Sequence, residues 1–126
     1  MNFIPILMVT ILVVYLLCRL MAYAVLEWNL LPKGLLSNGS RRVHHFVYGN
    51  ILIFAVAVTA MVTDWETQWQ FAVVFGIGLG LVIDEFPHWI GDIKELSRNV
   101  TFIRSSFLAL VIVELALLGS YVIGSL

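Results

Sequence analysis

The sequence predicts an all-α integral membrane protein, a single domain over residues 1–126 folded as an antiparallel bundle of four transmembrane helices. Two observations on composition and one on pattern predict it. Apolar residues make up 61% of the chain and charged residues 12%. Soluble domains carry roughly 45–50% and about 25% respectively, so a water-facing surface cannot be assembled from this sequence. Mean hydropathy is +1.00. Finally, four apolar stretches are separated by short intervals that collect the charges and turn formers, and each stretch approaches the roughly 20 residues that a helix needs to cross the hydrocarbon core.

The first helix is expected over about 5–27. Pro5 suits the first turn, where its missing N–H costs nothing. No Lys or Arg precedes the apolar run, unlike the start of a secretory signal peptide. Arg19 then falls within the membrane. A second way to divide the segment ends the span at Arg19 and lays 20–31 along the interface. Pro32, Gly34, Ser37, Asn38 and Gly39 mark a loop over 28–42 that also carries Lys33, Arg41 and Arg42. Asn38 or Ser40 is placed to cap the second helix.

That second helix is expected over about 43–63, a stretch free of Asp, Glu, Lys and Arg, with His44 and His45 at its entrance and Gly49 one turn deeper. The acidic interval after it contains Asp64, Trp65, Glu66 and Trp69, and tryptophan favours the membrane–water boundary.

The third helix, about 69–90, begins as lipid-compatible sequence and ends in Asp84, Glu85, His88 and, just beyond, Asp92. Gly76 and Gly80 form a Gly-x-x-x-Gly pair, which lets helix backbones approach closely where lipid offers no hydrophobic drive for association. These glycines lie inside an apolar helix, whereas a phosphate-binding loop follows a strand. Pro87 is expected to disturb the helix one turn before it. A polar loop over 91–101 leads to the fourth helix, about 102–125, whose one deeply placed acid is Glu114.

Six of the seven basic residues, Lys33, Arg41, Arg42, Lys94, Arg98 and Arg104, flank the first and third loops. Basic loops stay in the cytoplasm, so the expected topology is a multi-pass protein of the cell membrane. Its loops 28–42 and 91–101 are cytoplasmic, and its N- and C-termini lie outside. Residues distant in sequence then share the cytoplasmic membrane level. Asp84, His88 and Asp92 are spaced i, i+4 and i+8, and Glu85 and His88 have the Glu-x-x-His spacing of di-metal carboxylate bundles.

Two readings of this cluster stand side by side. In the first, it is a cytoplasm-facing site that binds a divalent metal, Zn, Fe or Mn, through His45, Asp84, Glu85 and His88, with His44, Glu27 and Asp92 as further candidates. Mixed imidazole and carboxylate ligands suit those ions. In the second, the chain is a non-enzymatic structural or interaction subunit, and the same residues pair helices with Arg41 and Arg42. Contact with a substrate or lipid headgroup is a third use of the cluster. Deeper in the membrane, Arg19 and Glu114 are expected to pair, since intramembrane charges face the bundle interior and find partners. Gly49, Gly76 and Gly80 are expected at helix contacts, within the chain or in a homo-oligomer or with a membrane-protein partner.

Several classes have no support. A second Glu-x-x-His, a His-Glu-x-x-His protease motif and a serine in a nucleophile setting are all missing. Cys18 is alone, so no intrachain disulfide forms; it reads as a small buried hydrophobe. No basic tail or aromatic–basic pattern suggests nucleic acid. The partner read from composition is the lipid bilayer.

Overall fold

The computed structural model describes residues 3–26, 45–64, 68–86 and 100–126. These form four α-helices: α1 (Ile4–Leu26), α2 (His45–Val62), α3 (Trp69–Glu85) and α4 (Val100–Ser125). The fold is all-α. Ile4–Ala22 of α1 and Ile103–Ser125 of α4 are long and apolar enough to cross a membrane, and Val47–Val62 of α2 is a shorter apolar helix.

The helix starts and ends have local causes. The Leu7 N–H donates to the Phe3 carbonyl at 2.9 Å, so the first turn of α1 closes around Pro5. The Phe71 N–H donates to the Gln68 carbonyl at 3.1 Å and opens α3. At the far end of α3 the Phe86 N–H turns back to the Ile83 carbonyl, a tightened last turn directly before Pro87, which cannot continue the ladder. Residues 87–90 of the expected third helix lie outside the described residues.

Hydroxyls in the helices and just beyond their ends are returned to their own backbone. Thr10 donates to the Ile6 carbonyl, Thr59 to Ala55, Thr63 to Thr59 and Ser120 to Ala116. Such bonds let a hydroxyl lie in an apolar medium without an outside partner.

Helix α3 is the centre of the packing, with α1 against one side and α2 against another. Its glycines make both contacts. A Cβ added at Gly76 would lie 2.9 Å from Thr10 Cβ, and one at Gly80 would lie 2.8 Å from Val14 Cβ, both on α1. At Gly78 it would lie 2.8 Å from Ile53 Cγ1, and at Gly49 it would lie 2.8 Å from the Gly78 carbonyl oxygen. Residues two apart on a helix point to nearly opposite sides. Gly76 and Gly80 therefore serve α1, and Gly78 serves α2. The order of contacts also fixes direction. Positions on α1 and α3 ascend together, so these helices run parallel, and α2 runs antiparallel to α3.

Helix α4 packs more lightly on α1 and α3. Leu110 joins Ile11, Tyr15 and Ile83 in one core cluster, bordered by Leu7, Leu79, Val113 and Leu117. Tyr15 meets Ser106, and Ile11, one turn earlier on α1, shares a core cluster with Leu110, one turn later on α4, so α4 is antiparallel to α1. Beyond Leu117 the residues of α4 are exposed, and among the described residues no atom lies within 4 Å of a Cβ added at Gly119 or Gly124.

The exterior is apolar and the interior is partly polar. Phe54, Met61 and Ile123 are more than two-thirds exposed, whereas Asp84, Glu85 and Ser106 are buried. A soluble protein arranges these classes the other way round.

Candidate functional site

The site is a line of polar side chains joining three helices near the last turn of α3. Asp84 is carried there on α3, one turn beyond Gly80, where α1 is held close. Arg19 reaches it from α1. Its Nε donates to Asp84 Oδ1, and Nη2 lies 3.5 Å from the Asp84 backbone carbonyl. Both side chains are shielded, 13% and 4% exposed. The carbonyl is one of the last four of α3, which lack partners within the helix. A cation beside them also complements the negative end of the helix dipole. Arg19 therefore answers both a side-chain charge and a helix terminus.

Tyr15 lies one turn back on the same face of α1, since i and i+4 are neighbours. The Arg19 guanidinium carbon is 5.9 Å from the Tyr15 ring centroid, within cation–π range. The Tyr15 hydroxyl lies 3.0 Å from Ser106 Oγ on α4. Ser106 Oγ also lies 3.1 Å from the Ile103 carbonyl, to which it donates. The tyrosine O–H is then the donor to Ser106. The chain of contacts runs Asp84, Arg19, Tyr15, Ser106, and links α3 to α1 and α1 to α4.

The expected Arg19–Glu114 pair is not formed; Arg19 takes Asp84 instead. The reason is register. Counting back along α1 from the Tyr15–Ser106 contact, Glu114 comes level with about Leu7. That is twelve residues from Arg19, about 18 Å along a helix. Glu114 Oε1 is buried with no hydrogen-bond partner among the described residues.

Of the cluster expected at the cytoplasmic level, Asp84 and Glu85 are described and buried. His45 is the first residue of α2. The antiparallel register of α2 on α3, with Gly49 beside Leu81 and Val82, brings the backbone of His45 level with Glu85. His44, His88, Glu27, Asp92, Arg41 and Arg42 lie outside the described residues. Among the described residues, no group of three or more His, Cys, Asp or Glu is disposed to hold a metal ion. Asp84 and Glu85 would supply oxygen ligands to a divalent ion, but Asp84 Oδ1 already accepts from Arg19.

Sequence reasoning missed Tyr15 and Ser106. The Tyr15–Arg19 spacing of four was a usable signal. So was Ser106, a hydroxyl in an apolar run, where polar side chains bridge helices.

The chain matches no protein-family model, no curated protein and no solved structure.

Proposed function

We propose that this chain is a non-enzymatic membrane protein, a structural or interaction subunit whose buried polar residues join its helices. In this reading all four helices cross the cell membrane, both termini lie outside and the loops 28–42 and 91–101 lie in the cytoplasm. The distribution of basic residues and the apolar exterior support that placement.

The observation that carries the reading is the Arg19–Asp84 pair between α1 and α3. An intramembrane charge normally marks a functional pathway or a structural pair. Here the arginine is engaged by a carboxylate, a helix-terminal carbonyl and an aromatic ring at once. Those are the contacts of a joint between helices.

A double-mutant cycle tests it. Removing one partner of a buried pair leaves an uncompensated charge and costs about 3–5 kcal/mol. Arg19→Met and Asp84→Leu should each lose about that much stability in micelles. The double variant should recover most of it. Losses that simply add would refute the pairing.

The metal reading keeps one supporting observation, the common level of His45 and buried Glu85. Elemental analysis decides between the two. The protein, purified without a histidine tag, is compared with His45→Ala and His88→Ala. The subunit reading expects no stoichiometric metal. Zn, Fe or Mn near one per chain, lost in both variants, would replace it with a metal centre.

A further inference from the structure

We infer that α4 pairs with α4 of a second copy of this chain, in parallel, along the seam Phe107, Val111, Glu114, Leu118, Tyr121 and Ser125, with the two Glu114 carboxyls meeting at its centre. The inference rests on the proposed crossing of the membrane by α4. It does not depend on how Arg19 is used.

The spacing of these six residues is 4-3-4-3-4, the alternation by which one helix stripe keeps facing a neighbouring helix. Among the described residues, no neighbour covers the stripe fully. Phe107, Leu118, Tyr121 and Ser125 are exposed, and Val111 and Glu114 are half-buried. The core-facing residues Ser106, Leu110, Val113 and Leu117 form a separate stripe beside it.

Glu114 shows why lipid is the wrong occupant. The hydroxyls of Ser106, Ser120 and Ser125 all donate to carbonyls of their own helix. Glu114 is only half-buried, and among the described residues its Oε1 has no hydrogen-bond partner. A hydrocarbon tail offers nothing to a carboxyl group, so this position asks for a polar group from another molecule at the same depth.

A second copy supplies one by symmetry. All copies inserted in one direction present α4 the same way up. A two-fold axis along the membrane normal then sets each residue opposite itself. Glu114 meets Glu114, two carboxyl groups joined by a shared proton, and Tyr121 meets Tyr121 one heptad further on. A single polar residue in an otherwise apolar seam also fixes the register, because any slip strands it against side chains that cannot answer it.

The test uses the full chain in bicelles, with energy transfer between donor- and acceptor-labelled copies across a range of protein-to-lipid ratios. Energy transfer above random mixing is expected for wild type. Glu114→Gln should retain it, since paired amides satisfy each other. Glu114→Leu should weaken association about 3- to 30-fold, the range for an interhelical polar contact in a membrane. In a Cys18→Ser background, oxidation should cross-link Leu118→Cys and Tyr121→Cys but not Ile112→Cys, which points about 160° away from Glu114. These cross-links keep the test decisive if Glu114→Leu fails to fold. Three results would each overturn the pairing: transfer at the random level, cross-linking at Ile112→Cys in preference to Leu118→Cys, or a folded Glu114→Leu with unchanged association. Alkaline carbonate extraction separates the two layers of the argument. Release of the chain from membranes overturns the placement of α4 and the pairing with it. Retention without energy transfer overturns the pairing alone.

Discussion

Substituting Gly49 by alanine should separate α2 from α3, and the structure says by how much. The added methyl would lie 2.8 Å from the Gly78 carbonyl oxygen, 2.9 Å from Val82 Cγ2 and 3.0 Å from Leu81 Cβ. Two of these are a backbone oxygen and a Cβ, which cannot move unless the helix moves. Ordinary contact begins near 3.4 Å, so the helices must part by about 0.6 Å, a gap that forfeits a quarter to a half of the dispersion energy of each contact it opens. At about 0.1–0.2 kcal/mol per atom pair, and with roughly 20 pairs around the crossing, the loss is about 0.5–2 kcal/mol. Strain at the remaining short contact brings the total to about 1–3 kcal/mol, the usual range for overpacking. Alanine returns up to about 1 kcal/mol of helix propensity. The net expectation is a loss of about 1–2 kcal/mol. Gly119→Ala is the control, because nothing lies within 4 Å of its added Cβ, and it should be neutral or stabilising. Second-site changes sharpen the test. Val82→Ala should not rescue Gly49→Ala, since the carbonyl oxygen remains. Ile53→Ala should rescue Gly78→Ala in part, since it removes the nearest obstacle, the Ile53 side chain at 2.8 Å, and leaves the Gly49 carbonyl oxygen at 3.2 Å. The assay is reversible unfolding in mixed micelles, followed by circular dichroism. If Gly49→Ala unfolds at the same point as Gly119→Ala, the close α2–α3 crossing is wrong.

Two further perturbations read the polar line and the apolar shell. Ser106→Ala should cost more than Tyr15→Phe in the same unfolding assay. The alanine leaves a buried tyrosine O–H without an acceptor, about 1–3 kcal/mol, whereas the phenylalanine leaves Ser106 still bonded to Ile103 and costs about 0.5–1.5 kcal/mol; equal losses would reverse the donor assignment. Cys18 is partly buried on apolar α1, so maleimide should label it about tenfold or more slowly in the folded protein than after unfolding, and equal rates would contradict its burial.

In the proposed membrane placement, the helices were legible because hydrocarbon leaves a spanning backbone little choice. Every N–H and C=O must be satisfied within the segment, so an apolar run bounded by charges and turn formers becomes a helix. Four helices accordingly lie on the four apolar stretches. The partner of Arg19 was not legible. Counting inward from the ends of segments one and four gives Arg19 and Glu114 similar depths. Depth, however, depends on the register that side-chain packing imposes, and the Tyr15–Ser106 contact sets that register so that Glu114 is far from Arg19. The glycines were legible as close-approach positions, but not the neighbour each would meet. Helix geometry alone makes Gly78 serve a different helix from Gly76 and Gly80, yet which helix lies on which side is decided by the whole fold.

These glycines explain why α3 tolerates a carboxylate at its end. In the proposed membrane placement, lipid offers no hydrophobic gain for bringing helices together, so close packing and polar contacts must do it. Gly76 and Gly80 bring the α1 backbone near, and the approach continues one turn further to Asp84. Were α1 held at an ordinary distance, Arg19 would have to reach further and the pair would be wetter and weaker. The acid also repays the approach. Its bond to Arg19 fixes α1 against sliding along a face that is otherwise a smooth stripe of glycine and aliphatic side chains, the registry role for which buried polar groups are best attested. The α2 side of α3 has its fit through the Gly49–Gly78 backbone contact, where one added methyl already forces the helices apart. One helix thus holds two neighbours by different means. A loss of charge would be felt first along α1, and a gain of bulk at Gly49 or Gly78 along α2.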